Sequence, residues 1–150
     1  MGYSPATPAA WMQRHLFNAP NGALPKSSPP APTQQQRIVR ALGLRNSYIP
    51  PVDEETLFIY YQYLAANLEL PFVAHFPKPA DRREEADFRS TVRELLDPTK
   101  HMGDVFDGIF CKTRKGRYEI NLPLIELYLP QESPQFQLIE DYWYWFWNWR

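Results

Sequence analysis

Toward the C-terminus apolar residues recur at steps of three and four. Phe136, Ile139, Trp143 and Phe146 make one row, and Leu138, Tyr142, Trp145 and Trp149 make a second with the same rhythm. That spacing predicts a helix over 136–149 that is apolar on more than one side, with only Gln137, Glu140, Asp141, Tyr144 and Asn148 left for water. The segment is shorter than the ~20 apolar residues that span a bilayer, so it is expected to be a buried helix with more than one neighbour. Leu57, Tyr60, Tyr61, Leu64, Ala65 and Leu68 repeat the helical period. They predict a second helix that begins at the acidic run Asp53, Glu54, Glu55 and ends near Asn67, ahead of Pro71.

Between these helices the period shortens. Residues 71–76 read as a strand closed by Pro77 and Pro79, and 78–89 as a charged, solvated loop. Residues 91–96 read as a second strand with Val92 and Glu94 on opposite faces. A loop over 98–108 holds His101, Asp104 and Asp107, and residues 109–113 and 118–122 flank RKGR as a hairpin. Residues 124–129 give a last short strand or turn after Pro123. The fold class expected is α+β: a small antiparallel SH3-like β-barrel flanked by an N-terminal amphipathic helix and the C-terminal aromatic helix.

Residues 1–52 differ in kind. Nine of the chain's 16 prolines lie there, which forces much of the stretch to run extended. Two short helices are expected in it, at 7–17 and at 33–42, the second capped by Thr33 with Gln36 three residues on and ended by Gly43. The division expected is therefore an extended, Pro-rich basic arm over 1–52 and an SH3-like domain over 53–150. Charge follows the same division. The arm has Arg14, Lys26, Arg37, Arg40 and Arg45 and no acid, leaving 11 of the 16 bases beside all 17 acids in the domain. A basic arm on an acidic domain suggests contact with nucleic acid, with another protein or with the domain itself.

Candidate chemistry is sparse. Cys111 is the chain's one cysteine, and His15, His75 and His101 do not pair with it at zinc spacing. There is no nucleophile elbow, phosphate-cradling glycine loop or metalloprotease motif, so the expectation is a protein that is not an enzyme. The hairpin tip Lys112, Arg114, Lys115 and Arg117 is a small basic spot. The lone cysteine, with neither a leader pattern nor a transmembrane segment, places the chain in the cytoplasm as an expectation.

The order of several stretches is informative. YYQYLAANLELPFVAHF, then VRELLD, then a hairpin ending in NLPLIELYL, then QLIEDYWYW resembles, over about residues 57–145, the small acidic calcium-binding protein family known from cyanobacteria. The resemblance implies a non-EF-hand, SH3-like domain that binds Ca²⁺ as a buffer or regulator. Where that family's loop is dense in Asp and Glu, this chain reads DPTKHMGDVFDG. Asp97, Asp104 and Asp107 are then the candidate metal ligands, with Glu140 or Asp141 adding one, and a loop with fewer acids beside Lys100 implies weakened binding.

Three functional expectations follow. The first is a non-catalytic accessory or adaptor subunit of a larger assembly, without a cofactor, docking on a protein partner through Trp11, Leu16, Phe17, Ile38 and Leu42 of the arm and Trp145, Trp147 and Trp149 of the aromatic helix. The second is a Ca²⁺-binding regulatory or buffering protein. The third is nucleic-acid contact through the basic arm.

Overall fold

The computed structural model describes residues 31–77, 87–100 and 105–150. The helix expected at 7–17, with Trp11, Leu16 and Phe17, lies outside them. In chain order the elements are α1 (Gln34–Ala41), α2 (Glu54–Asn67), β1 (Phe72–Pro77), β2 (Asp87–Leu95), β3 (Phe110–Lys115), β4 (Tyr118–Pro123), a 3-10 turn (Leu124–Glu126) and α3 (Phe136–Asn148). No helix among the described residues is long and apolar enough to cross a membrane.

Local chemistry sets the helix starts. The Thr33 hydroxyl accepts from the Gln36 amide at 3.1 Å while the Gln36 side chain accepts from the Thr33 amide at 2.8 Å, the reciprocal cap predicted for α1. Asp53 and Thr56 make the same exchange at the start of α2, at 2.8 Å in both directions. Along α2, Leu57, Tyr60 and Leu64 are buried, with Leu68 just past its end, whereas Tyr61 is half-buried and Ala65 exposed. Its buried stripe is therefore narrower than its sequence period suggests.

The sheet is antiparallel in the order β1-β2-β3-β4. β2 begins at Asp87, inside the stretch expected to be a solvated loop, because 87–92 pair with 72–77 of β1 while Arg89 faces water. A bulge at Arg93 carries Val92 and Glu94 to different sides: Val92 is fully buried, and Glu94 reaches out to Lys112 at 3.1 Å. The expected barrel does not close into a ladder. After Pro123 the chain winds into the 3-10 turn instead of a fifth strand, then returns to β1 for one bridge, in which His75 and Tyr128 exchange backbone bonds of 3.1 and 2.8 Å. Pro130 follows, and a proline cannot extend that pairing on its donor side.

One core joins all of this, and it extends past the boundary expected at residue 53. Ile38, Ala41, Leu42 and Ile49 are buried in the same cluster as Leu57, Tyr60, Leu64, Val92, Cys111 and the inner rows of α3. Along α3 the row Phe136, Ile139, Trp143 and Phe146 is buried throughout, while in the second row Tyr142 and Trp145 are buried and Leu138 and Trp149 half-buried, Trp149 just past the helix end. The Trp145 ring stacks on Tyr60 at 5.0 Å, and its Nε1 donates to the Pro50 carbonyl at 3.1 Å. The Val52 amide donates to the Trp149 carbonyl at 2.6 Å. The second neighbour that the doubly apolar helix requires is thus α1 and the chain leading from it. Of the contacts expected for the basic stretch, the one that residues 31–52 make is with the chain's own domain.

One position of the expected solvent stripe is also corrected. Asp141 is buried, and both of its oxygens are taken by Arg37 of α1, Nε at 2.7 Å and Nη2 at 3.0 Å, with the Gln34 amide at 3.1 Å. Arg37, counted among the basic residues of the arm, is therefore engaged with its own domain.

Candidate metal centre

The loop between β2 and β3 is gripped at its base. The Leu96 amide donates to the Phe110 carbonyl at 2.8 Å, and the Leu124 amide donates to the Ile109 carbonyl at 2.8 Å, which fastens the 3-10 turn beside the loop's far end. At the near end Asp97 turns the chain. Its Oδ1 accepts from the Thr99 amide at 2.8 Å and the Thr99 hydroxyl at 2.7 Å, and its carbonyl accepts from the Lys100 amide at 3.0 Å. Asp104 and His101 lie outside the described residues. Asp107 is exposed near the far end, beside Phe106, which is 75% exposed.

That far end is pinned to the aromatic helix. Gly108 has φ +71°, in the left-handed region that glycine adopts freely. A Cβ built there would stand 2.5 Å from the Tyr142 hydroxyl and 2.8 Å from Cε1 of Phe146. The Tyr142 hydroxyl accepts from the Ile109 amide at 2.9 Å, which gives this fully buried phenol a backbone partner. α3 therefore fixes where the loop re-enters the sheet.

Glu126, in the 3-10 turn, is the ligand candidate that sequence reasoning missed. Glu126 is exposed at the surface, yet desolvation raises its pKa and the charge of Asp107 raises it further, so two carboxylates from different elements lie within electrostatic reach. The available signal was an acid interrupting the apolar run LPLIELYL. Mutually repelling carboxylates are the environment that a hard divalent cation relieves, so the pair fits Ca²⁺ in donor type. It does not complete a cage: among the described residues no group of three or more His, Cys, Asp or Glu is gathered to hold a metal. Glu140 and Asp141 are not part of the loop's donor set, because they face Gln34 and Arg37 in the seam between α1 and α3.

Cys111 carries no reactive chemistry. It is fully buried, its thiol donates to the Leu122 carbonyl at 3.4 Å, and burial with the charge of Glu126 pushes its pKa up to about 12. A thiol held protonated in this way is neither a nucleophile nor a metal ligand at neutral pH.

The residues expected to meet a partner are placed as follows. Ile38, Leu42 and Trp145, expected to meet a partner, are buried inside the core of the described residues. Trp147 and Trp149 are half-buried and engaged with their own helix, Trp147 against Phe146 at 5.1 Å and Trp149 against Tyr144 at 5.7 Å.

A family model described as calcium binding matches residues 51–146. The chain belongs to the CcbP calcium-binding family. The CcbP match runs from just before α2 into the last turns of α3, so it contains the whole sheet, the β2–β3 loop and the 3-10 turn. Helix α1, with Gln34 and Arg37, precedes it. No curated protein and no solved structure matches the chain.

Proposed function

We propose that this chain binds Ca²⁺, and that the ion sits between the β2–β3 loop and the 3-10 turn, with Asp107 and Glu126 as its nearest carboxylates and Asp97 and Asp104 completing the acidic set. The observation that carries the reading is Glu126, whose carboxyl is raised by desolvation and by the charge of Asp107 from a separate element, inside the segment the family model covers. Asp97 and Asp107 stand near the two ends of the loop between β2 and β3. The protein's contribution would be to hold the loop ends at fixed separation through the Leu96, Ile109 and Tyr142 bonds.

A loop with few acids gives a weak site, so the expected dissociation constant is on the order of 10⁻⁴ to 10⁻³ M, the range of low-charge calcium modules. Calorimetry of the intact chain with Ca²⁺ checks this. Asp107→Asn and Glu126→Gln are each expected to weaken binding by about tenfold or more, one lost carboxylate being a large share of so small a donor set. Absence of heat at millimolar Ca²⁺, or binding unchanged in both variants, would contradict the site. The docking role expected of α3 loses its basis, since α1 of the same chain covers the helix.

A further inference from the structure

The seam between α1 and α3 holds more negative than positive charge. α3 presents Glu140 and Asp141 side by side, and α1 brings one guanidinium to them, Arg37, which donates to the two oxygens of Asp141 and, at 2.9 Å, to the Pro32 carbonyl. The Gln34 amide spans the two acids, 3.1 Å from Asp141 Oδ1 and 3.5 Å from Glu140 Oε1. Glu140 Oε2 is buried with no hydrogen-bond partner among the described residues. An ionised carboxylate with an unmatched oxygen beside a second carboxylate is costly, and a proton on that oxygen removes the charge.

We propose that α1 is a proton-gated latch on α3, seated while Glu140 carries a proton and loosened when Glu140 ionises. The charged and titratable groups around Glu140 are Asp141 on its own helix and Arg37 from α1, with Tyr60 of α2 coupled to both of these. Burial first, and the charge of Asp141 second, push the Glu140 carboxyl from 4.5 up to about 7, against the opposing pull of Arg37. The seated state thus holds more protons than the released one across that window. Seating is fully favoured below the ordinary carboxylate value, declines as pH rises, and reaches its lowest above about 7. Release uncovers the apolar side of α1 (Ile38, Ala41 and Leu42) and the surface of α3 beneath it. The latch pairs Gln34 and Arg37, which precede the calcium-binding match, with Glu140 and Asp141 inside it, and it shares no residue with the proposed Ca²⁺ site.

The test is hydrogen exchange of the intact chain in Ca²⁺-free buffer at pH 6 and pH 8, corrected for the intrinsic rate, together with a carboxyl NMR titration of Glu140. The Leu42 amide, bonded to the Ile38 carbonyl at 3.0 Å, reports α1, and the sheet amides serve as control. A proton lost at about 7 when seated and at 4.5 when released shifts the α1 opening equilibrium about tenfold between those pH values. In Glu140→Gln the dependence is expected to vanish, with α1 protected at both. A Glu140 midpoint near 4.5, α1 exchange that does not change with pH, or the same pH dependence in Glu140→Gln would each overturn the latch. Should Glu140→Gln fail to fold, the wild-type titration and exchange decide the question by themselves.

Discussion

Arg37→Met is expected to destabilise the fold by about 3 kcal/mol, near the low end of what removing one partner of a buried ion pair costs, because Arg37 keeps some contact with water. Its side chain is 23% exposed, whereas that of Asp141 is 6% exposed, so the loss falls mainly on the aspartate left behind. The Met side chain replaces much of the apolar stem but leaves Asp141 with only Gln34 as a donor. Adding Asp141→Asn removes that stranded charge and is expected to recover about half of the loss or more. Urea unfolding of the three proteins measures this. A single variant as stable as wild type, or a double variant less stable than the single, would mean that the pair is not the tie between α1 and α3.

The second large effect is expected at Gly108, through sterics. Alanine there meets the Tyr142 hydroxyl and the edge of Phe146, both fully buried, and must also hold φ at +71°. Overpacking of about 1–3 kcal/mol and a left-handed penalty of about 1 kcal/mol or more make a total of about 3 kcal/mol. Since the phenol also binds the Ile109 amide, the strain falls on the point where the β2–β3 loop re-enters the sheet. Thermal unfolding gives the stability loss, and calorimetry of the folded protein is expected to show weaker Ca²⁺ binding as well. By contrast, Gly116→Ala at the hairpin tip, where a Cβ meets nothing within 4 Å, bears only the backbone penalty.

These sites differ in how far they could be read from the sequence. The cap of α1, the start of α2, the hairpin and both rows of α3 depend on residues a few positions apart, and local pattern reveals them. What local pattern could not supply is the identity of facing surfaces. A helix with an apolar side announces that it has a neighbour without naming it, so α1 read as an arm anchor although it was the missing wall of α3. Asp141 read as solvent-facing because its partner Arg37 lies 104 residues earlier. The beginning of β2 was hidden because Asp87 and Arg89 continue the charged run before them, a composition that also suits a loop. Glu126 was hidden because it belongs to a 3-10 turn where a strand or turn was expected. The order of motifs did identify the family, and the match to residues 51–146 agrees with it.

An amide chemical-shift titration of the intact chain with Ca²⁺ tests the proposed site most directly. Shifts are expected to concentrate in residues 96–109 and around the 3-10 turn at Glu126, with Gln34, Arg37, Glu140 and Asp141 unmoved. No shift at millimolar Ca²⁺, or shifts centred on the α1–α3 seam instead, would contradict it.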